Sequence, residues 1–444
     1  MSLKKILLSK DLTSINVGHK FFLIGLFFLP SSLFLAALFL IPALIIGFWD
    51  QRLFFYKSVW NRLLFLCGFL ILTSALLQNF VFANEFSEIW DESLSLIGTI
   101  NWLPYLFLFF SFKPYLNNNE KRKNTALVLI ASTFPVLISG FGQYFFNWYG
   151  PFKSLNGLLI WYQRPSEHLT AMFSNQNYAG SWLLIVWPFC ISLILEKTKS
   201  LFRKTISISF LFSIGFAAFL TNSRSAWGGI FLSLPFVIGS ESLTWILPII
   251  GFILLLIALT VSPIFSGEIQ EILKNTIPKY IWMEFSEEGF KNLDATRLEV
   301  LLSAFKISLI KPLFGIGAGS FTSIYLLNNG FWKGHSHNLL LELAISYGLP
   351  VSIFLFLIIS LILLISGRII FFGKDKNEKN YFERAWWASV FVYLISQLVD
   401  IQYFDGKISI IFWILLIGLK NIIEDEKNIK TLFPQKNELS KIKS

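Results

Sequence analysis

Two histidines separated by one residue, in HSHN at 335–338, stand directly before a long apolar run, and a lone arginine, Arg224, stands before another in TNSRSAWGG at 221–229. The whole chain has only four histidines, so a pair in one place is a concentration of proton-moving chemistry. A guanidinium is a planar fork that matches phosphate oxygens bidentately. A second arginine, Arg297, falls in DATRLEVLLSAFKISL (294–309), where Leu298, Leu301, Leu302, Phe305 and Leu309 lie on one helical stripe and Asp294 is the expected N-cap. A cation in a first helical turn opposes the helix dipole unless a ligand or a carboxylate compensates. RPSEHLTAMFSNQNYAGSW (164–182) adds Arg164, His168, Asn175 and Asn177. Guanidinium groups for an anionic leaving group, with an imidazole to take a proton, suit transfer from a lipid diphosphate to a hydroxyl. Cationic neighbours favour the neutral, base-competent imidazole.

Each of these residues also has a plainer reading. Arg224 can snorkel or bind the carbonyls at a helix C-terminus. Arg297 can pair with Glu299 or Glu287, and His337 can be an interfacial or capping residue, with Ser336 or Asn338 as the N-cap of the helix that follows. A zinc site on His335 and His337 is disfavoured, because two ligands do not complete a shell and Glu342 lies on the Asn338 side of the helix, away from His337. The glycines of KPLFGIGAGSF (311–321) permit a tight turn and close backbone approach, but no Lys-Ser/Thr follows them as in a phosphate loop. No Asp-x-Asp pair is evident in these segments, so cationic side chains would stand in for a divalent ion. Neither a metal nor a cofactor is expected.

The elements that must position these residues are membrane spans. Of 444 residues, 55% are hydrophobic and 14% charged, and the mean hydropathy is +0.62, far more apolar than soluble domains. Several runs reach the roughly 20 apolar residues that cross a bilayer as helix. The expected fold is all-α and polytopic, with about 12 transmembrane helices and one long periplasmic loop carrying amphipathic helices. Residues 1–20 form a cytoplasmic segment, 21–262 the first nine spans, 263–337 the loop, 338–420 the last three spans and 421–444 a Lys-rich tail. The block 21–49 splits into a hairpin at Pro30-Ser31-Ser32, and 338–367 is one span with a kink at SYGLP (346–350). The N-terminal apolar run reads as a retained anchor. With both termini inside, 26 of the 37 Lys and Arg fall in cytoplasmic segments and four in short outer loops, as the positive-inside rule requires. The net charge of +10 then suits an anionic inner leaflet, and nucleic-acid binding is a poor reading. Cys67 and Cys190 fall in apolar runs and form no ligand pattern.

At FSNQNYAGSW (173–182), TNSRSAWGG, ATRLEVLLSAFKISLIKPLFGIGAGSF (295–321) and HSHNLLLELAISYGLPVSIF (335–354) the chain resembles the O-antigen ligase and O-antigen polymerase superfamily of bacterial inner-membrane proteins. The resemblance implies a metal-independent glycosyltransferase acting at the periplasmic face on an undecaprenyl-diphosphate-linked glycan donor. The acceptor would be a hydroxyl of lipid A core or of a growing polysaccharide, with membrane lipids as further partners. It implies catalytic roles for Arg224, Arg297 and His337 and a binding role for Asn338. Arg164, Asn177 and His335 are carried as further binding residues. Arg164 has no firm counterpart in the family. The N-terminal third and the loop at 150–165 also resemble cyanobacterial members labelled as bicarbonate transporters. A transporter for bicarbonate or another small anion is therefore the alternative.

Overall fold

The computed structural model describes residues 13–82, 90–150, 152–157, 159–161, 168–196, 200–261, 267–277, 282, 286, 295–372 and 380–425. In chain order the helices are α1 (Ser14–Phe28), α2 (Leu33–Gln51), α3 (Val59–Phe80), α4 (Ser93–Gly98), α5 (Leu103–Ser111), α6 (Asn119–Phe146), α7 (Gln176–Leu195), α8 (Leu201–Leu220), α9 (Arg224–Val237) and α10 (Leu243–Val261). They continue with α11 (Glu268–Thr276), α12 (Arg297–Ser308), α13 (Ser320–Asn329), α14 (Leu339–Tyr347), α15 (Leu349–Phe372), α16 (Tyr381–Ser396) and α17 (Gly406–Glu424). One small antiparallel hairpin, β1 (Phe152–Ser154) and β2 (Leu159–Trp161), pairs Lys153 with Ile160. The protein is an all-α polytopic membrane protein. Among the described residues nine helical stretches are long and apolar enough to cross a bilayer, and the shorter α1, α9 and α16 pack in among them.

The expected hairpin at 21–49 is present. The chain leaves α1 at Leu29, turns through Pro30, and re-enters α2 with Ser32 as N-cap accepting from Leu35 N at 3.3 Å. The expectation of one kinked span over 338–367 needs correction. Gly348 has φ +96, a backbone conformation that ends α14, and α15 begins at Leu349. A Cβ at Gly348 would lie 2.2 Å from the Leu313 carbonyl oxygen, so the residue is fixed both by its backbone and by close approach.

Leu313 belongs to the glycine-rich turn, and this turn is a docking device. Its backbone N–H groups at Ile316 and Gly317 donate to Ile345 O at 2.7 and 3.3 Å, at the end of α14. Gln78 on α3 donates to Ser346 O at 2.9 Å and to Phe314 O, while Trp90 donates to Ala318 O at 3.0 Å. The turn carrying the chain from α12 to α13 is thereby tied to the ends of α3 and α14, and the N–H groups of Gly315, Ile316 and Gly317 are spent on protein carbonyls.

The centre of the bundle is formed by α7, α16 and α17, whose residues are buried almost throughout. A helix that is apolar on all sides belongs in the interior. In contrast, α8 and α10 expose most of their apolar surface, as lipid-facing helices do. The helices α7 and α9 start side by side. A Cβ at Gly180 would meet Ser223 Cβ at 2.7 Å, so glycine at this position lets the first turn of α7 close onto the N-cap of α9.

Candidate functional site

The site is organised by a carboxylate that the sequence reading did not single out. Asp400 lies in the short loop between α16 and α17, with 6% of its surface exposed. His337 Nδ1 stands 2.8 Å from Asp400 Oδ1. Asn177, in the first turn of α7, donates to Asp400 Oδ2 at 2.9 Å, and Gln402 donates to the same oxygen at 3.0 Å. Two amide donors on one oxygen turn the other toward the imidazole. Gln402 is itself held by Gln397, whose Oε1 accepts from the backbone N–H of Gln402 and of Tyr403 at 2.9 and 3.0 Å.

The remaining residues reach the same loop from other elements. Arg297 Nη1 donates to Val399 O at 3.2 Å and Asn338 Nδ2 to Leu398 O at 3.0 Å. Asn338 is also the N-cap of α14, its Oδ1 accepting from Leu341 N at 3.0 Å, so the expected capping role falls to it and not to Ser336. His335 Nε2 lies 3.9 Å from Asp400 Oδ1, and its Nδ1 accepts from His337 N at 3.2 Å. His337 has φ +56, a left-handed conformation that costs a non-glycine residue about 1 kcal/mol or more and persists only where surroundings enforce it. Here its N–H is held by His335 Nδ1 and its ring by Asp400, while Asn338 and Leu339 are tied to Leu398 O and Gln397 O.

Arg297 does not pair with Glu299. The Glu299 Oε2 accepts from Thr296 N at 2.7 Å, and Thr296, rather than Asp294, caps α12 in a reciprocal capping box. Asp294 and Glu287 lie outside the described residues, as does Arg164. Glu342 turns to Ser336, whose backbone N–H it accepts at 2.9 Å.

Arg224 is the first residue of α9. The N-cap Ser223 makes no side-chain cap to this helix, so its first N–H groups and the guanidinium occupy one end. The position is fixed by a web of backbone ties. Leu169 N donates to Leu220 O at 2.9 Å, and Gln143 on α6 accepts from the N–H of Thr170 and Ala171, each at 2.9 Å. Lys407 at the start of α17 donates to Met172 O and Pro30 O, both at 2.8 Å. These ties hold the segment that leads into α7, which in turn sets Asn177 against Asp400 and Gly180 against Ser223. His168 lies 3.5 Å from Asn222, two residues before Arg224.

The electrostatics follow from this packing. Burial favours the protonated carboxyl of Asp400, but the hydrogen bond with His337 and the charges of His335 and Arg297 outweigh it and hold Asp400 below the usual carboxylate value. An ionised carboxylate only accepts, so His337 Nδ1 is the donor of this pair, and in the neutral imidazole Nε2 carries the lone pair. Burial, followed by the charges of His337 and Arg297, lowers His335 to about 4 against the opposing pull of Asp400, which leaves it neutral at pH 7. Donor atoms of His335, His337 and Asp400 all lie within 4.8 Å of one another, a compact trio that the sequence reading lacked for want of Asp400. The lone pair of His335 Nδ1 faces a backbone N–H, however, so in this tautomer Nε2 carries the proton.

The structure thus gathers Asn177, Arg297, His335, His337 and Asn338 around the 398–402 loop and sets Arg224 on the helix end packed against Gly180, three residues after Asn177. Asp400 and Gln402 were missed. The signal was available in QLVDIQYFDG (397–406), a dense run of polar side chains between two apolar spans. Residues 208–357 match the family model described as O-antigen ligase. That segment includes Arg224, Arg297, His335, His337 and Asn338 and stops short of Asp400. No curated protein matches the chain.

Proposed function

We propose, from the match of residues 208–357 to the O-antigen ligase family model, that the chain is a member of the O-antigen ligase superfamily and moves a glycan from an undecaprenyl-diphosphate carrier to a hydroxyl acceptor. His337 is the general base. Its Nε2 takes the proton of the acceptor hydroxyl while the hydroxyl oxygen bonds to the anomeric carbon, and the bond from that carbon to the diphosphate oxygen breaks. The electron pair leaves with the lipid diphosphate, whose growing charge Arg224 and Arg297 stabilise. The observation that carries this reading is the His337–Asp400 pair at 2.8 Å, which fixes the base-competent tautomer. Asp400 would also stabilise the imidazolium once it forms.

At His335 the geometry speaks against a metal ligand. A metal-bound imidazole donates its other ring N–H to an acceptor, whereas His335 Nδ1 meets the N–H of His337. Neither a metal nor a cofactor is required by this reading. Asn338, His335 and Asn177 shape the binding surface, and Arg164 is retained as a binding residue. The acceptor is lipid A core or growing polysaccharide, and the site faces the periplasm of a bacterial inner membrane with both termini cytoplasmic. The long segment 263–337 is the periplasmic unit between nine spans and three. Transport of a small anion is the weaker reading, because the polar groups gather at helix ends and transporters place theirs on interrupted helices near the midplane.

The test is complementation of a deletion strain, with surface glycan resolved by gel and the variants matched for membrane level. His337→Ala and Arg224→Ala are each expected to abolish the transferred product. Full rescue by both, or an unaltered glycan profile in the deletion itself, overturns the assignment.

A further inference from the structure

Helix α12 buries its small side and exposes its large one. Its spacing puts Leu298, Leu301, Leu302, Phe305 and Leu309 on one stripe. The structure turns most of this stripe outward and leaves Leu301 half-buried against the protein. Leu298 is 64% exposed, Leu302 52%, Phe305 51% and Leu309 49%, whereas Val300, Ala304 and Ile307 on the other side are buried against α13 and α14. A contiguous apolar patch of this kind marks an interaction surface.

The surroundings identify what covers it. The stripe continues past the helix into Leu313, 65% exposed, and then into Phe314, whose ring lies 6.3 Å from that of Phe82 beyond the end of α3. Pro312 O accepts from Leu349 N at 2.8 Å, which joins the patch to the start of α15. Both α3 and α15 expose large apolar side chains beside these junctions, Phe80 on one and Ile353 on the other, as membrane-crossing helices do toward lipid. The apolar face of α12 is therefore continuous with the lipid-facing belt. Lys306 is exposed on the same helix, and Lys311 lies at its end with Nζ 4.4 Å over the Phe82 ring, where long cationic side chains can reach headgroup phosphates while their stems stay on apolar surface.

We propose that α12 is an interfacial helix lying in the headgroup–acyl boundary of the leaflet on the site's side, with Leu298, Leu302, Phe305 and Leu309 immersed in lipid. The partner is a phospholipid surface. Such helices sink their apolar face a few ångströms, roughly 5–10, below the headgroups. Arg297, the first residue of α12, is then held at the depth of lipid phosphates and next to the loop carrying Asp400. That last consequence rests on the proposed transferase reading, since it places one arginine where the diphosphate of a lipid carrier must lie. The immersion itself does not.

The experiment reads depth and no activity. The full chain carrying Leu302→Cys is labelled with bimane and reconstituted into phosphatidylethanolamine–phosphatidylglycerol vesicles with and without acyl-brominated phospholipid, and Phe305→Cys is treated in parallel as a second reporter. Leu72→Cys on α3 serves as the lipid reference and Asn117→Cys as the aqueous one. Cys67 and Cys190 are buried and take no label. The expected result is quenching of both reporters by brominated lipid to at least half the extent of Leu72→Cys, with several-fold protection from aqueous iodide relative to Asn117→Cys. Iodide quenching equal to the aqueous reference, without bromolipid quenching, overturns the proposal. So does efficient disulfide-linked dimer formation through Leu302→Cys, which would show a second copy covering the face. Either outcome leaves the complementation test of His337 and Arg224 untouched.

Discussion

Helix α17 carries buried polar clusters at both ends, and the two differ in one respect that separates structure from chemistry. At the end far from the site, Lys420 is fully buried, donates to Asn61 Oδ1 at 2.7 Å and lies 4.7 Å over the Phe109 ring. One turn on, Glu424 accepts from Ser58 and pairs with Lys113 at 2.8 Å. Each charge there is answered by a protein group. At the site end the carboxylate of Asp400 is answered just as fully, yet the residue it orients is not enclosed, since the His337 side chain retains 29% of its exposure. The first cluster ties α17 to α3 and to the Lys113 turn. The second uses the same kind of buried network to aim one imidazole at an open surface. A saturated network rigidifies, and it becomes a functional site only when one member keeps an unused lone pair facing outward.

This contrast can be broken by substitution, and Asp400→Asn should have the largest effect. An amide in that place can donate to His337 Nδ1, moving the ring proton to Nε2 and removing the base. The transfer rate in proteoliposomes with a lipid-linked donor is expected to fall about 10²–10⁴-fold, with thermal stability changed far less. A rate within threefold of the parent would mean that the carboxylate does not set the tautomer. Lys420→Met should do the opposite. Removing one partner of a buried charged cluster costs on the order of 3 kcal/mol, so the melting temperature in detergent should drop while the rate per folded molecule is unchanged. A rate loss as large as that of Asp400→Asn would erase the distinction between the two ends.

The smallest effect concerns pH. Burial first, then the nearby cations, lowers His335 to about 4 in the folded protein from an unfolded value of 6.5. Between those values the unfolded chain binds the extra proton, so stability rises with pH across that window and is lost as pH falls from 6.5 toward 4. The loss from this group is no more than about 3 kcal/mol. His335→Gln should flatten the dependence of melting temperature on pH over that range. An unchanged slope would show that His335 is not held neutral by its surroundings. Asp400 acts with the same sign, further to the acid side. Its lowered pKa contributes stability above the ordinary carboxylate value that disappears as pH falls through the folded one.

Much of the fold was legible because lipid imposes a simple code. Apolar runs of bilayer length, Pro30 between two of them and basic residues at alternate loops were enough to expect α1 and α2 as a hairpin and the later spans in order. The chemistry-bearing residues of HSHN and Arg297 were legible for a related reason, since charged and imidazole groups beside apolar runs need a local cause. The facing of α12 was not legible. Its leucine stripe is amphipathic by the rule for helices in water, but beside a bilayer the large apolar face can turn to lipid while alanine and valine allow close packing on the protein. Asp400 was missed because the polar run QLVDIQYFDG marks the loop as unusual but no spacing in it singles out one carboxylate as the partner of His337.

By itself, the sequence determined that the chain crosses the membrane many times and which residues are chemically out of place in it, because the cost of polar groups in hydrocarbon is written into composition and run length. Only the tertiary structure decided that Asp400 faces His337, that Asn177 and Gln402 orient it, and that Gly180 and Gly348 are contact points. Those facts depend on distances between segments as much as 223 residues apart, and such distances follow from packing and not from local pattern.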